Sequence, residues 1–369
     1  MKIETMIYIY GAVCLSMIGF NILYNLILKR RELRLEKRCR KIKKRIEIQL
    51  NDIREGKSVS QKHMRYLQHS LRRISNLIAF DRVLNPLCED RHDGIVTQYF
   101  LQIQPVILYL AVLYNHLDTM QTAYFSFFLS RYIIKRQMPI DSMQDILLGY
   151  IKKENLYCSV NALQALYAFG DAEHIITALK IQDKSKVFIH EKILTEGLLS
   201  FTGNHDELIR RLWENLALYS EHTQLAILNY IRFQSDGYQE EMFSVMQDKS
   251  KGKELRLSAI RYFGRYYYES ALELLLAFAS DKDPSNWEYA TVSISSLARY
   301  NGGRVIGTLK QALHSSNWYI RQSAAASLEA RGVDYSGLMD VIVGNDRYAR
   351  EMITYRLESQ RLQKVGGVL

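Results

Sequence analysis

Apolar residues along this chain of 369 residues recur three or four positions apart, the spacing that places them on one face of an α-helix. Only 4 residues are Pro. Because a Pro inside a helix costs about 3 kcal/mol, this shortage favours long helices without interruption. The chain is 48% hydrophobic and 24% charged, a balance that supports a folded core and excludes a mainly disordered chain. The pattern predicts an all-α fold.

The first segment, residues 1–28, contains 23 residues without a charge, from Met6 to Leu28. A helix of about 20 residues crosses the hydrocarbon core of a bilayer. Tyr8, Tyr10 and Tyr24 lie near its ends, as in aromatic interface belts. A cleaved signal peptide and a buried core helix are the alternatives, but a signal peptide carries its positive charge before the apolar run. Here the charge follows the run, so we predict an uncleaved transmembrane helix.

A dense basic block follows the apolar run. From Lys29 to Arg45, 11 Lys and Arg stand against Glu32 and Glu36, a local net charge of +9. The whole chain carries +10 and residues 1–28 sum to zero, so residues 46–369 carry only +1. The positive-inside rule then predicts a single-pass membrane protein with its N-terminus outside and its C-terminal domain cytoplasmic. The block would also attract anionic membrane lipid.

Residues 29–57 are predicted to form a helical stalk that continues from the anchor. Apolar residues through the basic block keep a helical spacing and form one stripe: Leu35, Cys39, Ile42, Ile46, Leu50 and Ile53. The stripe could pack on the body of the protein or on a second copy. Ser58 or Ser60 is expected to cap the next helix. In a reducing cytosol the four cysteines are expected to be free thiols: Cys14, Cys39, Cys88 and Cys158.

Residues 58–154 are predicted to form helices of uneven length. They would make up the irregular N-terminal part of the solenoid. One stripe runs through Met64, Leu67, Leu71, Ile74 and Ile78. Pro86 and the polar run from Cys88 to Gly94 are expected to form a loop. The apolar run from Val106 to Tyr114 follows Gln102, Gln104 and Pro105 and has nine residues, too few to cross a bilayer, so it predicts a buried core helix. The next helix carries Tyr124, Phe125, Phe127, Phe128 and Tyr132, and Pro139 is expected to begin another.

From residue 155 to residue 369 the chain repeats one helix–turn–helix plan. A large apolar residue recurs 32, 33, 32, 34 and 31 residues apart, at Leu166, Leu198, Ile231, Phe263, Leu297 and Leu328. Four residues before each stands Ala162, Leu194, Ile227, Ala259, Ser293 and Ala324. The expected turns are Gly170-Asp171, Gly203-Asn204, Asp236-Gly237, Asn301-Gly302-Gly303 and Gly332. One such unit cannot bury both faces alone, so the period predicts stacked repeats.

These repeats resemble the HEAT family of helical repeats. The best match is the segment Asn317-Trp318-Tyr319-Ile320-Arg321-Gln322-Ser323-Ala324-Ala325-Ala326-Ser327-Leu328, which follows the family's Val-Arg-x-x-Ala-x-x-x-Leu pattern. Arg256 occupies the Arg position a second time, whereas the other segments have Ser159, Glu191, Gln224 and Ala290 there. The resemblance covers roughly residues 155–346 and implies a HEAT-like α-solenoid, an architecture that mostly serves as an interaction surface.

The sequence contains no motif that predicts a catalytic, cofactor-binding or metal-binding residue. Glycine-rich nucleotide loops, His-Glu-x-x-His and Gly-x-Ser-x-Gly are absent from the sequence. Cys88, Glu89, Asp90, His92 and Asp93 form the nearest approach to a metal cluster, but neighbouring residues on one loop rarely converge on an ion, so a solvated loop is predicted. The acidic residues of His190-Glu191 and His205-Asp206-Glu207 are expected at helix starts. The chain has 25 Tyr, and Tyr266-Tyr267-Tyr268 lies at a repeat turn. Most tyrosines of the repeats are expected at the seams between repeats, with some available for a partner.

Taken with the resemblance, these patterns predict a membrane-tethered scaffold or adaptor without enzyme activity, which binds a protein partner at the cytoplasmic face. Neither a cofactor nor a small-molecule substrate is expected. The resemblance to membrane-anchored bacterial HEAT proteins suggests a membrane glycosyltransferase system as partner. The alternatives are a nucleic-acid-binding, DNA-repair type of HEAT-like protein and a HEAT-like bilin lyase. A net charge of +1 over residues 46–369 is too small for a nucleic-acid surface, so no nucleic-acid partner is expected.

Overall fold

The computed structural model describes residues 3–88, 94–132 and 140–366. Within these ranges the protein consists of α-helices and short 3-10 turns, without a strand. Their contacts divide the chain into two compact units, Met1–Phe188 with Phe201–Gly203, and Ile189–Ser200 with Asn204–Leu369. The prediction of an all-α protein is confirmed for the described chain.

Over its described residues, the first unit contains a long N-terminal helix and seven shorter helices. Their bounds are α1 Ile3–Arg54, α2 Gln61–Ser70, α3 Ile74–Leu87, α4 Gly94–Asn115, α5 Thr119–Tyr132, α6 Ile140–Ile151, α7 Leu156–Phe169 and α8 Ala172–Asp183. Helix α1 packs on α3 and α4, α4 packs on α6, and α5 packs on α7. The core of the unit therefore includes the C-terminal half of α1.

The stripe predicted in the stalk is confirmed. Ile42, Ile46, Leu50 and Ile53 are all buried, and Leu35 and Cys39 are half-buried. The stripe packs on the body of the first unit, through α3 and α4. Helix α1 ends at Arg54, Gly56 adopts the left-handed conformation with φ 77°, and Ser60 accepts a hydrogen bond from the His63 amide. Of the two serines proposed as caps, Ser60 is the one that caps α2.

Two prolines lie inside helices, which corrects the predicted loop and core helix. Pro86 is within the last turn of α3, not in a loop, and Pro105 lies in the middle of α4. Helix α4 therefore has 22 residues and not nine, because it continues through Pro105. Ile103 and Val106 beside this proline are buried. Their burial offsets the helix hydrogen bond that a proline cannot donate.

The predicted stripe from Met64 to Ile78 is divided between two helices. A turn after Ser70 separates α2 from α3, so Leu67 and Leu71 are fully buried while Met64, Ile74 and Ile78 are half-buried. On α5, Phe125, Phe128 and Tyr132 face the core and Phe127 is exposed. Two predicted features lie outside the described residues: the helix start at Pro139 and the loop residues Glu89, Asp90, His92 and Asp93.

The second unit alternates two sets of helices. The first helices are α9 Glu191–Leu199, α11 Glu221–Gln234, α13 Lys253–Phe263, α15 Trp287–Leu297, α17 Trp318–Ala330 and α19 Arg347–Gly366. The second helices are α10 His205–Glu214, α12 Gln239–Gln247, α14 Leu272–Ala279, α16 Gly303–Ala312 and α18 Met339–Ile342. Each first helix packs on the next one, from α9 to α19, and the second helices α10, α12, α14, α16 and α18 each pack on the first helix that follows.

The repeat positions predicted from the sequence are buried throughout. Solvent exposure is 0% for Leu166, Leu198, Ile231, Phe263, Leu297 and Leu328. It is at most 3% for Ala162, Leu194, Ile227, Ala259, Ser293 and Ala324. Between neighbouring first helices, the Ser296 hydroxyl donates to the Ile260 carbonyl at 2.9 Å and Ser327 donates to Ile294 at 3.0 Å. Bonds between residues about one repeat apart align the first helices in register, an arrangement compatible with an α-solenoid.

Candidate functional site

Among the described residues, two helices are by length and composition apolar enough to cross a membrane, α1 and α4. The most apolar window of α4 is 44% buried, because one face of that helix lies in the core of the first unit. In the most apolar stretch of α1, by contrast, no residue is buried. From Tyr10 to Leu28 its side chains are exposed, including Leu15, Phe20 and Leu23. A contiguous apolar surface of this size requires an apolar environment, either lipid or another protein.

The basic residues of the stalk lie on the face of α1 that points away from the core. Within this block Arg38 and Lys41 line a groove of about 410 Å³ together with Tyr66, His69 and Arg73. The Arg45 guanidinium lies 4.0 Å from the centre of the Tyr66 ring, a cation–π contact. The structure thus separates the apolar stripe, which is buried, from the cations, which are available to anionic groups.

The histidine that is most enclosed in the first unit is His63 on α2. Its Nε2 atom lies 2.9 Å from the Tyr99 hydroxyl, and 3% of its surface is exposed. Burial, together with the positive charge of Arg45, lowers the pKa of His63 to about 4. The imidazole is therefore neutral at pH 7, and its hydrogen bond joins α2 to α4.

A second polar cluster joins α3 to α5. The Tyr124 hydroxyl donates to the Asp81 carboxylate at 3.0 Å, and Arg131 lies 3.6 Å from the same carboxylate. The Tyr132 hydroxyl donates to the Asp81 carbonyl at 2.9 Å. Burial and the charge of Asp81 raise the pKa of both phenols. These interactions hold two helices together, and neither phenol is activated for proton transfer near neutral pH.

The cysteines are free thiols, and all four lie within the described chain. Cys158 is buried and donates to the Thr119 carbonyl at 3.0 Å. Burial raises the pKa of Cys88 and of Cys158 to about 11, so these thiols are poor nucleophiles. Over the residues that the structure describes, no group of three or more His, Cys, Asp or Glu is arranged to hold a metal ion.

The polar residues predicted at helix starts lie there. His190 precedes α9 and its side chain accepts from the Lys192 amide, while Glu191 is in the first turn. Asn204 caps α10, whose first turn contains Asp206 and Glu207. In these positions the acidic side chains lie at the positive ends of the helix dipoles, where a negative charge is favourable.

Exposed aromatic side chains gather at the N-terminal ends of α17 and α19. Trp318 is 49% exposed, Tyr319 is 54% exposed and Tyr348 is 67% exposed. A cavity of about 390 Å³ lies among residues of these two helices: Trp318, Arg321, Tyr348, Met352, Tyr355 and Arg356. We call these six residues the aromatic surface. Trp, Tyr and Arg are the residues most enriched at energetic hot spots of protein interfaces.

Two tyrosines of the second unit form hydrogen bonds across the seams between described repeats. Tyr262 accepts from the Tyr238 amide at 3.1 Å. Tyr300 donates to the Tyr268 carbonyl at 3.2 Å. Sequence reasoning assigned tyrosines to seams or to a partner without separating the two sets, whereas the structure places Tyr348 and Tyr355 at the surface.

Glu273 is exposed on α14. Its carboxylate forms two hydrogen bonds with the Arg304 guanidinium on α16, at 2.6 and 2.9 Å. This pair links neighbouring second helices. A Glu273→Lys change would therefore replace this ion pair with a repulsion between the new lysine and Arg304.

No protein-family model matches this chain, and no curated protein matches it significantly.

Proposed function

We propose that this protein is a single-pass membrane adaptor whose HEAT-like helical repeats hold a protein partner at the cytoplasmic face. The observation that carries the proposal is the exposed apolar half of α1, continuous with a C-terminal half that is docked in the first unit. Removing that apolar half from water is strongly favourable, and its length matches the hydrocarbon core.

The assignment to HEAT-like repeats is supported by what the family-type arginines do. The Arg321 guanidinium donates to the Ser315 carbonyl at 2.6 Å and to the Ser316 carbonyl at 3.1 Å. Arg256, at the same position of an earlier repeat, donates to the Met246 carbonyl at 3.1 Å. In both repeats the guanidinium binds the end of the preceding second helix or the turn after it. This shared role explains why a repeat plan would retain an arginine there.

The proposed orientation follows from the basic block. Its net charge of +9 between Lys29 and Arg45 lies immediately after the apolar run. Positively charged flanks stay on the cytoplasmic side during insertion, so both compact units would lie in the cytoplasm. The aromatic surface is the proposed partner site there, and a membrane glycosyltransferase system is the first partner to test.

Extraction and topology measurements test the anchor. The protein should stay in the membrane pellet in alkaline carbonate. A reporter that is active only in the cytoplasm should be active when it is fused after Leu369. The double variant Leu15→Asp/Ile18→Asp should be released, whereas Ile48→Asp, outside the apolar run, should remain. Release of the unmodified protein by carbonate, or activity of an exclusively extracytoplasmic reporter, would contradict the proposal.

Site-specific photo-crosslinking tests the partner site. A photoreactive amino acid at Tyr348 should capture one partner reproducibly in intact membranes. Tyr157 provides the matched control, because it is similarly exposed but lies on α7 of the first unit. Equal capture from both positions would mean that the aromatic surface is not a specific site.

A further inference from the structure

An arginine recurs at the ends of the first helices of the second unit. Arg232, Arg265, Arg299 and Arg331 are 33, 34 and 32 residues apart, the period of the repeats. Arg232 lies in the last turn of α11, and the others follow the last residues of α13, α15 and α17. Because neighbouring first helices pack in register, these positions follow one another along one edge of the unit.

Three of these arginines line a common groove. Arg232, Arg265 and Arg299 surround an open groove of about 570 Å³, with Arg261 and Phe233. We call these five residues the arginine groove. Gly264 also lines the groove and lies close to the neighbouring helix, since a Cβ atom there would be 2.9 Å from the Ser296 hydroxyl.

The groove concentrates positive charge without matching carboxylates in its lining. Arg261 reaches Glu254 at 4.0 Å, and Arg265 donates to the Tyr266 hydroxyl at 3.3 Å. The Nε atom of Arg232 is buried without a hydrogen-bond partner among the described residues. Burial and the charges of Arg261 and Arg265 lower the pKa of Arg232 to about 10. An anion in the groove would offset both the desolvation and the repulsion.

Stabilising the negative ends of helix dipoles is the other role that such arginines can have. Arg331 has that role, because its guanidinium donates to the Ala298 and Tyr300 carbonyls of the preceding turn. Within the described chain the structure shows no such carbonyl bond for Arg232, Arg265 or Arg299. Of the four periodic arginines, three therefore line the groove, and Arg331 instead binds carbonyl groups after the end of α15.

We propose that the arginine groove binds an acidic peptide segment of a protein partner. The assignment rests on the proposed adaptor function, since it names the chemistry of one partner segment. Packed helices lie about 8–10 Å apart, so the groove from α11 to α15 spans roughly 16–20 Å, the length of five or six extended residues. A carboxylate at about every third residue would meet successive arginines, whose planar guanidinium groups bind carboxylates through two parallel hydrogen bonds.

The aromatic ring in the groove favours a peptide over a nucleic acid. The guanidinium of Arg232 lies 4.5 Å from the centre of the Phe233 ring, and that of Arg265 lies 5.5 Å from it. The ring is thus engaged by two cations, whereas single-stranded nucleic acids need free aromatic faces on which bases stack. The net charge over residues 46–369, with the groove arginines included, is only +1, which provides little attraction for a long phosphate backbone.

Fluorescence anisotropy tests the assignment with the full chain in detergent micelles and a fluorescein-labelled peptide of six glutamates. The double variant Arg265→Gln/Arg299→Gln should bind this peptide at least about tenfold more weakly, which corresponds to about 1.4 kcal/mol. The basic stalk also attracts the peptide, so the matched control is Arg304→Gln/Arg347→Gln. It removes two exposed arginines elsewhere on the same unit. The control should bind within about twofold of the unmodified protein.

Equal losses in the two double variants would overturn the assignment, because they would reflect net charge alone. Tighter binding of a labelled 20-residue oligo-dT that is lost in the groove variant would overturn it in favour of nucleic acid. If circular dichroism shows that the groove variant is unfolded, the single change Arg299→Gln should still weaken binding about threefold, and an unchanged affinity would refute the site. The measurement in micelles is independent of insertion and orientation. Failure of the groove and failure of the anchor are therefore separate outcomes.

Discussion

Gly203 lies directly against Gly170, so that a Cβ atom on Gly203 would be 2.2 Å from the Gly170 carbonyl oxygen. Gly170 ends α7 in the left-handed conformation with φ 74°, and the Thr202 amide donates to the Tyr167 carbonyl at 3.1 Å. Two turns predicted from the repeat period thus meet backbone to backbone. Glycine is needed at position 203 because of the close approach, and at position 170 because of the backbone conformation as well.

The change Gly203→Ala should therefore destabilise the fold. The added methyl group must displace the backbone of the Gly170 turn, and we expect a loss of about 1–3 kcal/mol, as for overpacked cores. Gly307→Ala is the control, because its Cβ would meet no atom within 4 Å on α16. That change should stabilise the helix by about 0.5–1 kcal/mol. Thermal unfolding followed by circular dichroism measures both, and equal shifts would contradict the close contact.

Two isoleucines on α1 test whether the stalk is docked. Ile46 is 0% exposed and Ile48 is 51% exposed, although they are two residues apart. We expect Ile46→Ala to cost about 2–5 kcal/mol, because it leaves a cavity in the first unit. Ile48→Ala should change the free energy of unfolding by less than about 0.5 kcal/mol. Similar unfolding temperatures for the two variants would show that the stalk does not pack on the body.

Acid should weaken the first unit through His63. Its pKa in the folded chain is about 4, below the ordinary value of 6.5, so the unfolded chain binds the proton first as the pH falls. The stabilising contribution of neutral His63 is complete above about pH 6.5 and declines between pH 6.5 and 4, by about 3 kcal/mol at most. Urea unfolding of the unmodified protein and of His63→Gln over this range should show a smaller pH dependence in the variant. If the free energy of unfolding depends on pH equally in the two proteins, His63 is not the source of the acid sensitivity.

Damage at the C-terminal end of the second unit should remain local. Leu328 is 0% exposed, and Leu328→Ala should cost about 2–5 kcal/mol. In an array of nearest-neighbour repeats the loss of stability falls mainly on adjacent repeats. The amide exchange rate should therefore increase more in α15 to α19 than in α9 to α13. Val343→Ala, at a position that is 72% exposed, is the control and should leave exchange unchanged. Uniform acceleration over the whole unit would argue for a single cooperative domain.

The periodic part of the fold could be predicted because burial follows helical spacing. The stripe through Ile42 and Ile46 and the repeat positions from Leu166 to Leu328 are examples, since each prediction needed only apolar periodicity. The positions of Pro86 and Pro105 inside helices could not be predicted. At Pro105 the burial of Ile103 and Val106 offsets the local cost of proline, and a local pattern contains no information on that balance.

The arginine groove and the aromatic surface were both missed. The recurrence of Arg232, Arg265 and Arg299 at the repeat period was visible in the sequence, and comparing charges at equivalent repeat positions would have found it. The aromatic surface gave no comparable signal. Tyr300 and Tyr348 are the same residue type, and only the packing of neighbouring helices buries the first and exposes the second.

For the membrane anchor proposed above, the continuity of α1 sets both the distance of the first unit from the membrane and its rotation about the helix axis. With no break between Leu28 and Ile42, the intervening turns form a rigid spacer of about 20 Å at about 1.5 Å per residue. Inserting one residue into this spacer would raise the first unit by only about 1.5 Å but would rotate it by about 100° around the helix axis. An insertion of seven residues would raise it by about 10 Å and nearly restore the angle. A change in the length of the stalk would therefore alter the rotation of the first unit about the helix axis much more than its displacement along that axis.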